Sequence, residues 1–398
     1  MFLKTKIKET VIGVQYLFVA FGATVLVPLL VGLDPSIALF AAGIGTLVFH
    51  LITKGKVPVF LGSSFAFVAP IIKATELYGL PGTMSGIAAV GLVYGLMSLA
   101  VKLWGTGFIS KLFPPIVIGP VIILIGLSLA STGVNMAGTD WLLAGVSLTV
   151  AVLVSLLGKG MLKLLPILAG IVAGYAVAWI FMGIDMSPVK EAAWIALPSF
   201  TRPSFSLPAI FFLVPVAIAP VIEHIGDVYA IGAVTGKNYV KDPGLHRTML
   251  GDGIACMLSG LAGGPPVTTY SEVTGAITLT KVSNPYVLRV AAVTAILFSV
   301  IGKVNALLCT IPGAVMGGIM LLLFGSIASI GINNMITNRI DFSDTRNLII
   351  VSLILTVGIG GAALSVGNFS MAGIGLAALL GVVLNLVLPR GRNGATHT

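Results

Sequence analysis

Fourteen apolar stretches, set apart by short polar or charged breaks, fill this chain from about residue 11 to residue 388. A helix needs roughly 20 apolar residues to cross the hydrocarbon of a bilayer. Within that hydrocarbon every backbone N–H and C=O must find a partner inside the protein, which leaves helices or closed barrels. The stretches lie at 11–33, 35–52, 57–72, 84–101, 114–131, 141–157, 164–183, 207–233, 248–263, 266–280, 287–302, 304–331, 347–366 and 371–388. Stretches of this length and apolarity predict an all-α polytopic membrane protein. Composition excludes a soluble alternative: 9% of the 398 residues are charged, against roughly 25% in an ordinary soluble domain. Two cysteines cannot make a disulfide scaffold, and Cys256 and Cys309, both in apolar runs, read as small buried hydrophobes. The first stretch is too long for a signal-peptide core and lacks a small-residue cleavage site.

The net charge of +9 has a topological origin. With the N-terminus in the cytoplasm and fourteen crossings, 18 of the 22 Lys and Arg residues fall in inside loops, Arg390 and Arg392 among them. Only Lys73, Lys190, Arg202 and Lys303 fall outside. That is the positive-inside pattern, and it predicts a plasma-membrane protein with both termini cytoplasmic. Scattered between apolar runs without interleaved aromatics, the cations form no nucleic-acid face; their partner is the lipid headgroup.

Fourteen spans divide into seven and seven. An odd number per half forces the halves, 1–200 and 201–398, into opposite orientations, the inverted-repeat plan of many secondary transporters. A marker supports the division. Segment 3 carries Gly62-Ser63-Ser64-Phe65-Ala66-Phe67, and segment 10 carries Val267-Thr268-Thr269-Tyr270-Ser271-Glu272. Each is a small polar pair followed by an aromatic, each has a proline-bearing entry, and Phe65 and Tyr270 are 205 residues apart. β-Branched, hydroxylated, Pro-interrupted sequence is poor helix, so short extended strands are expected in segments 3 and 10. Such backbone survives at membrane depth only where it lines a cavity or is buried in protein.

Most acidic residues fall in loops, but Glu223, Asp227 and Glu272 do not. A carboxylate at bilayer depth costs several kcal/mol, so these three are the candidate functional groups. Glu223 and Asp227 are four apart and share a helix face; His224 lies off that face as a supporting residue. Three neighbouring carboxylates cannot all ionise cheaply, so one of them can exchange a proton, which makes proton coupling physically reasonable. A carboxylate can also accept N–H donors from an amide- or imide-like solute. With no Lys or Arg at the same depth, a neutral solute rich in N–H groups fits better than an anion. Phe65, Tyr270 and Phe324 could flank a flat ring.

Catalytic signatures are absent: no nucleophile elbow, P-loop, H-E-x-x-H or Cys/His metal spacing occurs. No enzyme activity, cofactor or metal is expected beyond a co-transported proton. The run Asp242-Pro243-Gly244-Leu245-His246-Arg247 reads as a turn capping the next helix.

Several of these pieces together carry a resemblance: Phe21-Gly22-Ala23-Thr24-Val25-Leu26-Val27-Pro28, Gly62-Ser63-Ser64-Phe65-Ala66-Phe67, Glu223-His224-Ile225-Gly226-Asp227, Asp242-Pro243-Gly244-Leu245-His246-Arg247 and Thr268-Thr269-Tyr270-Ser271-Glu272. From about Gln15 to Leu388 the chain resembles the nucleobase–ascorbate transporter family (nucleobase cation symporter family 2), most closely its bacterial uracil permeases. The resemblance implies uracil–proton symport by a core domain of segments 1–4 and 8–11 and a gate domain of segments 5–7 and 12–14, in a homodimer. It implies that Glu223 and Glu272 hydrogen-bond the pyrimidine, that the backbones of Phe65 and Ser271 contact it, and that Tyr270 adjoins it. Phe324 would approach from the gate, Asp227 and Glu223 would serve proton coupling, and His224 and Thr269 would support them. Val267 and Val273 stand where the family usually has Asn, which leaves another pyrimidine open. A xanthine- or urate-type purine permease of the same family, or an anion transporter or channel of the same fold, is the alternative.

Overall fold

The computed structural model describes residues 2–160, 162–366 and 369–389; Arg390 and Arg392, counted above among the inside cations, lie outside them. The first half runs α1 (Phe2–Leu30), α2 (Pro35–Ile52), β1 (Leu61–Ser63), a 3₁₀ turn (Phe65–Phe67), α3 (Val68–Trp104), α4 (Thr106–Leu112), α5 (Pro115–Ser128), α6 (Ala130–Ala137), α7 (Trp141–Leu157), α8 (Pro166–Met182) and α9 (Ser187–Glu191). The second runs α10 (Leu207–Leu213), α11 (Ile218–Thr235), α12 (Leu245–Ala262), β2 (Val267–Thr269), α13 (Ser271–Thr280), α14 (Pro285–Ser299), α15 (Gly302–Cys309), α16 (Gly313–Thr337), α17 (Thr345–Ile359), β3 (Ala363–Val366), β4 (Phe369–Ala372) and α18 (Gly373–Val387). Among the described residues six helical stretches are long and apolar enough to cross a membrane, and five shorter apolar helices accompany them. The protein is therefore an integral membrane protein, mostly helical.

The loop carboxylates have a common use. Asp34, Asp140 and Asp344 each precede a helix and accept backbone N–H groups of its first turn: Ser36 for Asp34, Leu142 and Leu143 for Asp140, Arg346 for Asp344. An acceptor at that position satisfies an orphan donor and meets the positive end of the helix dipole. Asp242 departs from this pattern and from the expected capping role. No side chain caps α12; Asp242 instead pairs with Lys56 at 2.5 Å.

Five expected spans are laid out differently. Residues 57–72 are not one span but β1, the 3₁₀ turn and the start of α3. α3 then continues through the expected break at 73–83, kinked at Gly79 (φ 70°, ψ 164°) ahead of Pro81; glycine tolerates that angle and leaves the helix free to resume. The stretch 304–331 divides at Pro312, which ends α15 and opens α16. The stretch 207–233 is interrupted by a 3₁₀ turn at Val214–Ala217 containing Pro215. The C-terminal part of 347–366 leaves α17 at Ile359 and becomes β3, paired antiparallel with β4. Cys256 is buried as expected, but Cys309, at the end of α15, is exposed.

Two sets of helices pack closely. α12 lies against α3 and α2, with α14 against α2 and α1; α5 lies against α16, which also packs on α6, α7 and α8, and α17 lies against α18. α3 and α12 approach through glycine. A Cβ on Gly91 would stand 2.4 Å from the Gly253 carbonyl oxygen, and one on Gly253 2.8 Å from that of Gly91. In lipid, where helix association gains little from the hydrophobic effect, small residues that bring backbones together supply the van der Waals contact.

Candidate functional site

At the centre of the first packed set, β1 and β2 pair antiparallel, with Leu61 opposite Thr269, Gly62 opposite Thr268 and Ser63 opposite Val267. The ladder is extended by Ser64 N–H to the Pro266 carbonyl (2.8 Å) and Tyr270 N–H to that of Phe60 (3.1 Å). Buried helices surround it, and Thr46 of α2 accepts the Leu61 N–H at 2.9 Å. These are the two extended pieces expected from the sequence. A helical segment begins at the end of each strand, at Phe65 and at Ser271. The first N–H groups of a helix have no intrahelical acceptor, and they carry the positive end of its dipole. Two such ends therefore meet beside one short strand pair.

The carboxylates approach the same place from α11 and α13. Glu272 is the second residue of α13, and Glu223 lies just over one turn into α11. Both are half-buried, and Glu223 is within electrostatic reach of Glu272 and Asp252. Asp227, one turn beyond Glu223, is 9% exposed and its Oδ2 accepts the Thr269 hydroxyl at 2.9 Å. The structure thus joins Asp227 of α11 to the strand that leads to Glu272. Phe65 and Phe324, the latter from the middle of α16, meet edge to face with ring centroids 5.8 Å apart. Tyr270 is 4% exposed, and its hydroxyl donates to the Ser63 carbonyl at 2.8 Å.

His224 faces α12. Its Nε2 lies 3.0 Å from the Thr248 hydroxyl, its Nδ1 2.9 Å from Asp252 Oδ2 and 3.4 Å from the Thr269 hydroxyl. The rings of Phe49 and Tyr94 pack edgewise on it. Asp252 corrects the expectation that only three acids lie at depth. It is fully buried, seven residues inside α12, and neither of its oxygens lies in the direction of a hydrogen-bond donor, so its contact with His224 is one of ionic proximity. The sequence signal was present, a lone acid in the apolar run Met249–Ala262. The expected stretch 248–263 already contains it, and the helix begins still earlier, at Leu245.

The two valines that raise a question about substrate are both buried beside these elements, Val267 in β2 opposite Ser63 and Val273 next to Glu272. Val267 is buried toward α2, its Cγ2 3.4 Å from where a Cβ of Gly45 would be, and Val273 is fully buried. Chemically, the site offers carboxylate acceptors beside backbone N–H donors, a combination suited to a neutral solute whose edge alternates N–H and C=O.

Known proteins share this sequence and this fold. Residues 7–367 match the permease family. A probable uracil permease of Haemophilus influenzae is 50% identical over 400 residues, covering 98% of this chain and 96% of its own. The uracil permease of Bacillus subtilis is 45% identical over 407 residues, covering 97% and 94%. The chain belongs to the nucleobase–ascorbate transporter family. Like its relatives in that family, it is a permease and not an enzyme. Its fold extends further. SLC26A9 superposes with a TM-score of 0.68 at 13% identity over 96% of this chain, which spans 64% of that longer one. The transmembrane domain of the cyanobacterial bicarbonate transporter BicA gives 0.63 at 15% identity, covering 95% and 96%. At such identities the likeness concerns the fold alone.

Proposed function

We propose that this member of the nucleobase–ascorbate transporter family is a secondary transporter that takes up uracil together with a proton. The observation that carries the reading is the pair of half-buried carboxylates, Glu223 and Glu272, beside the ends of the β1–β2 pair. Near-full-length identity to uracil permeases supports the substrate. Glu223 and Glu272 accept the ring N–H groups, and the backbone N–H groups of Phe65 and Ser271 donate to the ring carbonyls. Phe324 covers one side of the ring. Asp227, held by Thr269 and supported by His224, and Glu223 exchange the coupled proton. The fourteen crossings form two inverted repeats, 1–200 and 201–398, with segments 1–4 and 8–11 as core and segments 5–7 and 12–14 as gate. The protein works in the plasma membrane as a homodimer among lipids, with both termini cytoplasmic, as the Lys/Arg distribution favours.

Uptake of labelled uracil into proteoliposomes tests this. An inward proton gradient should accelerate uptake and a protonophore should abolish the acceleration. Uptake indifferent to the gradient would remove the proton from the mechanism. Transport of xanthine or of an inorganic anion without uracil would replace the substrate.

A further inference from the structure

A two-stranded ladder of three residue pairs is marginal by itself, yet the backbone donors assigned to the substrate hang directly from its ends. The structure shows what fastens it. Tyr270 reaches from the end of β2 back across β1 and is tied to it twice, through its N–H to the Phe60 carbonyl at 3.1 Å and through its hydroxyl to the Ser63 carbonyl at 2.8 Å. Between those two points the ring lies over Gly62. A Cβ on Gly62 would stand 2.3 Å from Tyr270 Cζ and 2.4 Å from Cε2, closer than any real contact, so only glycine allows the ring to seat. Glycine within a strand commonly marks such an approach. The fastening continues to α1: the Tyr270 hydroxyl lies against the Thr24 side chain, and the Ser63 hydroxyl donates to the Thr24 carbonyl at 2.9 Å.

We propose that Tyr270 is a positioning residue. Its ring, seated on Gly62 and anchored at Ser63, sets the separation and register of the two strands, and hence where the N–H groups of Phe65 and Ser271 stand relative to each other. Binding sites tolerate displacements of only about half an ångström in their contact groups, so loosening this clamp weakens every ligand that uses both donors. The role rests on the reading that uracil bridges the two strand ends.

A double-mutant cycle on uracil affinity, measured on the purified protein, tests it. Gly62→Ala should weaken uracil binding at least tenfold, because the methyl displaces the ring. Tyr270→Leu should weaken it about tenfold. The double variant should bind no worse than Tyr270→Leu alone, since the clash has gone; losses that multiply would overturn the proposal. Should Gly62→Ala fail to fold, its recovery in the Tyr270→Leu background supports the clamp, and failure in both backgrounds refutes it. Tyr270→Phe keeps the ring and removes the anchor. It should weaken uracil, thymine and 5-substituted uracils by the same factor, whereas a loss confined to one of them would show a direct ligand contact instead. If the unaltered protein binds no uracil, the transport reading has failed. The clamp is then decided by the same cycle on the melting temperature of the ligand-free protein, where Gly62→Ala should be damaging only when Tyr270 is present.

Discussion

Removing the Asp252 carboxylate should destabilise the protein by about 3 kcal/mol. The magnitude follows from its surroundings. Asp252 and His224 are both fully buried, 2.9 Å apart, and the rings of Phe49 and Tyr94 close two sides of the imidazole. In Asp252→Ala, Nδ1 keeps the Thr269 hydroxyl at 3.4 Å, too far for a good hydrogen bond. A buried ion pair broken on one side costs about 3–5 kcal/mol, and the value given is the lower end of that range. His224→Leu alone should cost as much as Asp252→Ala. The pair replaced together, His224→Leu with Asp252→Leu, should cost far less than the sum, because no polar group is left stranded. Unfolding in detergent, followed by tryptophan fluorescence, gives these numbers. Trp104, Trp141, Trp179 and Trp194 all lie outside α11 and α12 and report on the whole molecule. Added salt should change little, since the pair is sheltered from screening. If Asp252→Ala is within about 0.5 kcal/mol of the unaltered protein, or if the double variant equals the sum of the singles, Asp252 does not hold His224.

Three further outcomes are expected. Glu272→Gln should weaken uracil binding at least about tenfold, the worth of one charge-assisted hydrogen bond, while moving the melting temperature little; normal binding in a titration would remove Glu272 from the site. Gly126→Val should disrupt the packing of α5 on α16, because even a Cβ there would stand 2.4 Å from the Phe324 carbonyl oxygen; overpacking of this kind costs about 1–3 kcal/mol, and transport should fall with it because Phe324 moves. Outside the membrane, burial pushes the Asp34 carboxyl up, but hydrogen bonds involving Ser199, Ser36 and Asn305 outweigh it and hold the group below its ordinary value. A lowered folded-state value means stability that is present above the unfolded value and lost as pH falls through the folded one. Acid titration of the melting temperature should therefore show a loss that Asp34→Asn lacks.

Much of the site was legible along the chain because membrane depth makes charge expensive. Glu223 and Asp227 stood out as two acids one turn apart in an apolar run, and Glu272 as an acid after a Ser/Thr-rich, proline-led stretch. The poor helix formers at 61–63 and 267–269 identified the strands for the same reason that they cannot continue a helix. Asp252 lies within the expected stretch 248–263 but is not among the acids expected at depth; its burial depends on packing against His224 from another helix. The continuity of α3 escaped because Gly79 and Pro81 ordinarily end a helix, whereas here the chain kinks and goes on.

What the sequence determined by itself is that the chain is apolar enough to enter a bilayer, that two short pieces are poor helix there, and that Glu223, Asp227 and Glu272 have no cheap place in it. These are costs of transfer, summed residue by residue, and they need no knowledge of partners. Pairing was decided only by the tertiary structure. Leu61 faces Thr269 across a separation of more than 200 residues, the Tyr270 ring seats on Gly62, which has no Cβ, and Asp252 finds His224 on another helix. Such contacts depend on shape and direction between distant segments, and hydropathy along a chain carries neither.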